Sequence, residues 1–274
     1  MMRARLITST IAGVVAVPAM LAQSPHTLSG NVALVGDYRF RGLSQTYTQP
    51  AIQGGVDYAA ATGAYLGAWG SNVSGNQSLN GGSLELDLYG GYRWAVGKVG
   101  LDLGMQYYWY PRARYNIDPG DRYNTAEVYV GGRYDQFTVK YSHALTNLFG
   151  MNTRTIGGYC GIGADGTAAT TDCLGTGGSK GSSYVDLNAA FNVVFGMSLA
   201  LHYGRQYVRR YDRLSYADYK IGLTRAFGAA TLGAALLGTD AEGRFYRYTP
   251  TTAGSRETEN VARPAIVLSA SRVF

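Results

Sequence analysis

Residues that could perform catalysis are few in this chain of 274 residues, which has 3 histidines. Ser142 and His143 could supply a nucleophile and a base, but adjacent residues of a strand point to opposite faces. Glu85 and Asp87 share a face, as the paired carboxylates of a glycosidase would. No spacing assigns a serine, histidine and acid triad, which is recognised by the mutual geometry of its groups. We therefore predict no catalytic site and no enzyme activity.

Residues 1–22 have the parts of a secretory signal peptide. The first residues are basic, residues 6–17 are apolar, and small residues allow cleavage after Ala19 or Ala22. An uncleaved anchor helix is the alternative, but the apolar run is short and ends at Pro18. The sequence therefore predicts an exported protein.

Cys160 and Cys173 are the two cysteines of the chain, with 12 residues between them. In an exported protein a disulfide is the expected outcome. A metal site is not predicted, because no further Cys or His ligand lies near them in the sequence. The glycine-rich stretch 175–182 lacks the Gly-Lys-Ser/Thr ending of a phosphate-binding loop. The sequence thus predicts a disulfide, and neither a metal nor a cofactor.

The composition favours strands as the elements that position these residues. The chain has 38 glycines, 23 tyrosines and 15% charged residues, whereas average proteins have about 7% glycine and about 25% charged residues. Plentiful aromatic residues argue against a disordered chain, and glycine and tyrosine are poor helix formers. A net charge of +6 without a basic block argues against nucleic-acid binding. An all-β protein remains.

Polar and apolar residues alternate with period two along most of the chain, as in strands whose two faces differ. Twelve such segments are predicted, at residues 31–41, 51–60, 64–71, 83–94, 98–110, 124–134, 137–145, 183–194, 197–208, 215–225, 228–238 and 262–274. Most of them are near the 9–11 residues that cross a bilayer at a tilt.

Connections between these segments alternate between short and long. The short ones fall at residues 61–63, 95–97, 135–136, 195–196 and 227–228, and the long ones at 42–50, 72–82, 111–123, 146–182, 209–214 and 239–261. Outer-membrane barrels have short periplasmic turns and longer extracellular loops. We therefore predict a transmembrane antiparallel up-and-down β-barrel of about 12 strands over residues 31–274, in the outer membrane of a Gram-negative cell. Residues 23–30 would form a short periplasmic segment before it.

One face of the predicted strands carries charges that would face the lumen of the barrel. The pore-lining candidates are Asp37, Arg39, Arg41, Asp57, Glu85, Asp87, Arg93, Asp102, Glu127, Arg133, Lys140, Asp186, Asp218 and Lys220, and Lys98 falls on the same face. Charges inside a narrow barrel must pair or stay hydrated. Side chains fill barrels of about eight strands, whereas about 16–18 strands hold an aqueous pore. A barrel of twelve strands lies between these sizes, so a channel and a plugged barrel are both compatible with the sequence.

A second basic set lies in the predicted extracellular loops: Arg112, Arg114, Arg122, Arg209, Arg210, Arg213, Arg244 and Arg247. These side chains could bind the phosphate groups of outer-membrane lipid and lipopolysaccharide, or draw anions to the mouth of a channel. Solvated loop charge is the plainer alternative. If the loops attract anions, bilayer recordings should show a slight anion preference.

The opposite face of the strands is apolar, with aromatic residues near the strand ends. Such rings favour the headgroup level of a membrane. One girdle is predicted at the short-turn end, from Tyr58, Tyr65, Trp94, Tyr134, Phe137, Phe195, Phe227 and Phe274, and a second at the long-loop end, from Phe40, Trp69, Trp109, Tyr141 and Tyr203. Many outer-membrane barrels end on Phe, and this resemblance implies that the barrel-assembly machinery recognises Phe274.

Four stretches early in the chain resemble a known family. They are DYRFRGLSQT at 37–46, PAIQGGVDY at 50–58, GAYLGAWGSNV at 63–73 and ELDLYGGY at 85–92. Together they are similar to the TorF family of proteobacterial porins. The resemblance implies an outer-membrane location and a channel, and it carries no substrate and no functional residues to this sequence.

The sequence therefore predicts a porin-like channel for passive diffusion of small hydrophilic solutes. A non-conducting structural or adhesive barrel, acting through its extracellular loops, is the alternative. A membrane hydrolase that uses His143 ranks third, and a homo-oligomer is compatible with all three.

Overall fold

The computed structural model describes residues 26–75, 82–115, 120–248 and 258–274. The expected signal peptide, residues 1–22, lies outside the described residues. Among the described residues, no helix is long and apolar enough to cross a membrane.

Twelve strands form a closed barrel in which each strand pairs antiparallel with the next, and the last pairs with the first. The strands are β1 His26–Val35, β2 Ala51–Ala60, β3 Ala64–Asn72, β4 Leu84–Val96, β5 Val99–Trp109, β6 Thr125–Tyr134, β7 Phe137–Ala144, β8 Ser183–Asn192, β9 Met197–Tyr207, β10 Tyr216–Phe227, β11 Ala230–Thr239 and β12 Ala265–Val273. The predicted fold, a twelve-stranded up-and-down barrel, is confirmed. Its two ends are named here the short-turn rim and the long-loop rim.

The remaining elements are short and lie in the connections. In the described part of the chain, one α-helix, α1, covers Thr153–Ile156, and 3-10 turns lie at Leu148–Gly150, Val194–Gly196, Asp212–Leu214 and Gly243–Phe245. Two-residue strands pair as Arg39–Phe40 with Leu43–Ser44, and as Arg247–Tyr248 with Glu259–Asn260. Except for Val194–Gly196, which lies in a short turn, these elements belong to the long connections.

The first strand differs from its predicted position. It begins at His26 and ends at Val35, so residues 26–30, expected in a periplasmic segment, belong to the barrel. Residues 36–41, expected in the strand, leave the wall. Residues 26–30 do not alternate between polar and apolar, so the sequence pattern does not indicate a strand there. They form one because β2 pairs with β1 along its whole length, from His26↔Ala60 to Val35↔Ala51.

The barrel has an apolar outside and a polar inside, the reverse of a soluble protein. In β5 the exposed side chains include Leu103, Met105 and Trp109, whereas Gln106 and Tyr108 alternate with them on the inner face. Strand periodicity of two explains this separation. The apolar outer belt is what the sequence pattern predicts.

Three aromatic residues of the predicted girdles lie inside the barrel instead. Tyr65 is buried and donates a hydrogen bond to Asp102. Phe40 belongs to the connection after β1, and Trp69 packs edge-on against Tyr38. The reason is register: Tyr65 and Trp69 share the inner face of β3 with the buried Ser71.

Candidate functional site

The connection between β1 and β2 folds into the barrel, and residues 36–50 are named here the inner segment. Val35 and Ala51, which flank it, are ladder partners, so the segment leaves and rejoins the wall at one point. Its turn is tight, with Arg41 at φ 46° and Gly42 at φ +79°. A Cβ at residue 42 would meet Thr239 of β11 and Asp218 of β10. The inner segment therefore packs directly against β10 and β11.

Arg39 ties the inner segment to the connection before β12. Its Nε donates to the Asp37 carboxylate at 2.6 Å, and its Nη1 donates to the carbonyl of Arg263 at 2.8 Å. Asp37 also accepts from the hydroxyls of Ser44, at 2.6 Å, and Thr46, at 3.1 Å. Asp37 and Arg39 are both buried, so they form a buried ion pair within the inner segment.

Arg41 extends from the inner segment to the wall. Its guanidinium donates to Glu127 of β6 at 2.6 Å and to the side-chain oxygen of Gln206 of β9 at 2.7 Å. The guanidinium carbon lies 4.8 Å from the ring centre of Phe40 and 4.3 Å from that of Tyr184. Arg41 is thus held by one carboxylate, one amide and two aromatic rings.

Two carboxylates of β4 lie close to this contact. The Tyr38 hydroxyl donates to Glu85 at 3.1 Å, and Gln106 donates to Asp87 at 3.1 Å. Glu85 is 0% and Asp87 6% exposed, and Glu85 Oε2 and Asp87 Oδ1 accept no hydrogen bond from a described group. No ion pair joins either carboxylate to a basic side chain of the described residues.

His202 of β9 lies between two carboxylates on the inner wall. Its Nε2 is 2.8 Å from Asp218 of β10, and its Nδ1 is 3.1 Å from Asp186 of β8. An imidazole can donate from both nitrogens only when it is protonated, so this arrangement suits a cation. No sequence pattern assigned a role to His202. The sequence does not show which residues of β8, β9 and β10 become neighbours, so it could not place His202 between the two carboxylates.

Lys98 does not belong to the inner charge set. It is exposed in the turn between β4 and β5 at the short-turn rim, because β4 continues to Val96 and the turn follows. His202, which the predicted set of inner charges did not include, lies inside the barrel instead.

The inner wall near the short-turn rim carries a looser network. Arg93 pairs with Asp102 at 3.2 Å and stacks 3.8 Å from the ring centre of Tyr65. Tyr65 hydrogen-bonds to Tyr129, and Lys140 lies above the Tyr129 ring. Asp57 accepts from Tyr89 at 2.6 Å, and Arg133 donates to the Asp135 carbonyl at 3.2 Å. These groups are mostly half-buried, whereas those near the inner segment are buried.

The structure therefore divides the predicted pore-lining residues into two sets. Asp37, Arg39 and Arg41 lie on the inner segment, and the others point inward from the wall strands. Whether a solute passes along them stays a prediction.

The long connections cover the long-loop rim. Leu148, Tyr211, Phe245 and Val261, from three connections, form one buried apolar cluster. The Tyr246 hydroxyl donates to the Leu214 carbonyl at 2.6 Å, and burial raises the pKa of this hydroxyl, so it remains a neutral donor.

Several loop arginines are occupied by contacts at this rim. Arg213 and Arg244 pair with Glu242 at 2.6 Å and 2.8 Å. The side chains of Arg114, Arg209 and Arg247 donate hydrogen bonds to backbone carbonyl oxygens. Arg122 forms an isolated β-bridge with Arg114. The remaining two loop arginines, Arg112 and Arg210, lie at turns with positive φ angles. The predicted disulfide between Cys160 and Cys173 is present.

Ser142 and His143 project from opposite faces of β7, with Ser142 buried inside. Among the described residues, no group of three or more His, Cys, Asp or Glu side chains could hold a metal ion. The interior of the barrel is thus polar and charged, and Ser142 and His143 do not lie on one face of β7.

Comparisons with known proteins agree with a porin-like fold. A family model with the description "Bacterial protein of unknown function (Gcw_chp)" matches residues 19–274. No curated protein matches the sequence. The name TorF, taken from the sequence resemblance, is a finer assignment than this match and stays a prediction.

Among solved structures, the NanC porin is similar with a TM-score of 0.50 and 8% identity, over 90% of this chain and 99% of that chain. The KdgM porin has a TM-score of 0.48 and 8% identity, over 90% and 99%. The outer-membrane protein Omp33 of Acinetobacter baumannii has a TM-score of 0.45 and 9% identity, over 92% and 100%. At this level of identity, the similarity to NanC shows the barrel fold.

Proposed function

The chain belongs to the Gcw_chp family of bacterial proteins of unknown function, and we propose that it is a porin-like outer-membrane channel for passive diffusion of small hydrophilic solutes. The observation that carries this proposal is the charged inner face of a closed barrel. Charges face inward along most of the wall height, from Asp57 and Arg133 near the short-turn rim to Glu85 and Asp218 beside the inner segment. Membrane barrels that form channels have a polar interior of this kind, filled with water.

The outer face supports a location in the outer membrane. Large apolar side chains such as Leu66, Leu103 and Ile221 are more than half exposed around the whole barrel. A continuous apolar belt of this kind marks contact with lipid or protein, and spanning a bilayer with strands requires a closed barrel. The expected partners follow from this location: lipid and lipopolysaccharide at the belt and loops, and the barrel-assembly machinery at Phe274, which is exposed.

The inner segment is the part that must move in an open channel. It fills the lumen at the long-loop half, where its Tyr38 side chain is only 2% exposed. Because both of its ends join the wall at the paired residues Val35 and Ala51, its displacement leaves the strand register intact. The structure represents the closed state in this proposal.

Planar-bilayer recording of the refolded protein tests the proposal. The wild type should show single-channel steps, and a Gly42→Cys/Thr239→Cys variant should lose them when oxidised, because a Cβ at residue 42 would touch the Thr239 side chain. A reductant should restore the steps in this variant. The wild type with reductant and the two single-cysteine variants are the controls. A wild type without steps overturns the proposal.

A non-conducting structural or adhesive barrel is the second candidate. The observation in its favour is the depth of burial beneath the long loops, which ion pairs and a disulfide hold together. A variant with residues 38–48 replaced by a short Gly–Ser linker separates the two candidates. If only this shortened variant conducts, and the wild type never does, the second candidate is supported.

A further inference from the structure

The wall around Arg41 has the features of a binding site for a cation. We name as the acidic recess the wall residues Glu85, Asp87, Glu127, Tyr184 and Gln206. Glu127 and Gln206 accept from the two guanidinium nitrogens of Arg41, and the Tyr184 ring lies 4.3 Å from the guanidinium carbon. Carboxylates and aromatic faces together bind guanidinium and ammonium groups. All five residues belong to strands, so the recess does not depend on the inner segment.

The acidic recess has more carboxyl groups than the Arg41 guanidinium has positive charges. Asp186 and Asp218 have His202 between them, but Arg41 is the one basic residue of the described chain that forms an ion pair within the recess, with Glu127. Glu85 and Asp87 each retain a buried oxygen that accepts no hydrogen bond from a described group. Besides Glu127, which pairs with Arg41, the recess thus holds two carboxyl groups that form no ion pair within the described residues.

Arg41 can leave the recess because it belongs to the inner segment. Its backbone is in the left-handed region, as are those of Tyr47 and Thr48, a conformation that costs energy for residues other than glycine. When the segment moves, Arg41 moves with it, and the acidic recess faces the lumen.

We propose that the acidic recess binds the guanidinium or ammonium group of a permeating solute in the open channel, and that Arg41 occupies this site while the channel is closed. This inference rests on the proposed function and adds the class of solute. It predicts a preference for cations, the opposite of what the loop arginines alone would give. Two of those arginines, Arg213 and Arg244, share the one negative charge of Glu242, which reduces the attraction of the loops for anions.

Ion selectivity gives the first test, in the shortened variant with residues 38–48 replaced by a Gly–Ser linker. Under a potassium chloride gradient, its reversal potential should lie towards the potassium equilibrium potential. Changing Glu85→Gln, Asp87→Asn and Glu127→Gln in the same background should abolish this displacement. The matched control removes three exposed acids outside the lumen, by Asp135→Asn, Asp165→Asn and Asp212→Asn, and should retain it.

Chemical rescue gives a second test that needs no current. Arg41→Ala in the full chain should lower the temperature at which the folded barrel unfolds, as read from heat-modifiable migration on gels. Ethylguanidinium chloride at millimolar concentration should raise that temperature in a saturable manner. Ethylammonium chloride should do so less, since it lacks the planar, spaced donors with which a guanidinium group contacts Glu127 and Gln206. The Arg41→Ala/Glu127→Gln variant should not respond to either cation.

The outcomes separate this inference from the proposed function. An anion-selective shortened variant, or an Arg41→Ala protein that ethylguanidinium does not stabilise, overturns the cation site. A wild type that never conducts overturns the channel, while rescue of Arg41→Ala still reports on the recess. Gel migration identifies the folded barrel in every variant, so loss of folding is not mistaken for loss of binding.

Discussion

Single glycines in the barrel make room for aromatic rings on the neighbouring strand. Gly104 is the ladder partner of Tyr129, and a Cβ at residue 104 would meet the Tyr129 ring. The same arrangement recurs for Gly67 with Tyr89, Gly91 with Tyr65 and Gly238 with Tyr219. Rings laid over glycines shield backbone in strands and fix their register. The excess of both residue types in the composition thus has one structural cause.

Gly104→Ala should destabilise the barrel by about 1–3 kcal/mol, the usual cost of overpacking. The added methyl group would meet the Tyr129 ring and also the Gly90 carbonyl. Gly100→Ala is the matched control in the same strand, because its methyl group would find only ordinary contact with Arg133. Urea titration in lipid vesicles measures both. Equal stabilities of the two variants would contradict the packing argument.

His202→Gln should destabilise the barrel by about 3–5 kcal/mol, the cost of leaving buried charges without their partner. The substitution removes the cation between Asp186 and Asp218. His143→Gln, on the outer face of β7, is the control and should change stability by less than about 0.5 kcal/mol. The same urea titration serves for both, and an equally stable His202→Gln protein would show that the two carboxylates do not need the imidazole.

At the scale of elements, the inner segment shows where sequence reasoning fails. The alternation of Asp37, Arg39 and Arg41 predicts an inward face of a strand, and their side chains are indeed inside the barrel. They reach it on a folded-in connection, because the wall strand ends at Val35. Period-two alternation records which side chains face water or polar groups, and a short hairpin inside a lumen has the same pattern as the wall around it.

The wall strands were predictable because lipid and lumen impose opposite demands on alternate residues over ten positions. The acidic recess was not, since it depends on which residues become neighbours across strands. Glu127 and Gln206 are 79 positions apart in the sequence, and no local pattern relates them. His202 between Asp186 and Asp218 has the same origin.

The disulfide between Cys160 and Cys173 should stabilise the covering loop without affecting the barrel wall. A Cys160→Ser/Cys173→Ser variant should be cleaved faster by protease within residues 146–182, since a cross-link of about 15 residues restricts the open loop by about 3 kcal/mol. The unfolding temperature of the barrel should stay unchanged, because the strand ladders do not involve this loop. Wild-type protein with reductant is the control, and unaltered cleavage in both would contradict the prediction.

At the scale of the whole molecule, charge is confined to the inside and the rims. Leu103 lies in the middle of the outer face of β5, and Val99 lies on the same face at the short-turn rim. The low charge content of the chain follows, because every strand reserves one of its two faces for lipid.

Leu103→Arg should therefore destabilise the protein by about 2–4 kcal/mol in vesicles, whereas Val99→Arg should cost about 0–1 kcal/mol, since the penalty for a charge falls from the bilayer centre to its surface. Urea titration of both variants, with the membrane-inserted state followed by tryptophan fluorescence, measures the difference. Equal penalties would mean that β5 does not cross a bilayer at this depth.

The wall of the barrel is a closed ring of strands, and the joints between neighbouring strands differ in the number of paired residues. β1 pairs with β2 over ten positions, from His26 to Val35, but with β12 over only five, from Asn31 to Val35. Three further backbone hydrogen bonds extend the shorter joint, two between Gly30 and Phe274 and one from the Gly36 amide to the Leu268 carbonyl. Under mechanical tension, a ring parts at its weakest joint. A barrel pulled sideways in the bilayer would therefore unzip between its first and last strands, into an open sheet whose edges could pair with a new strand.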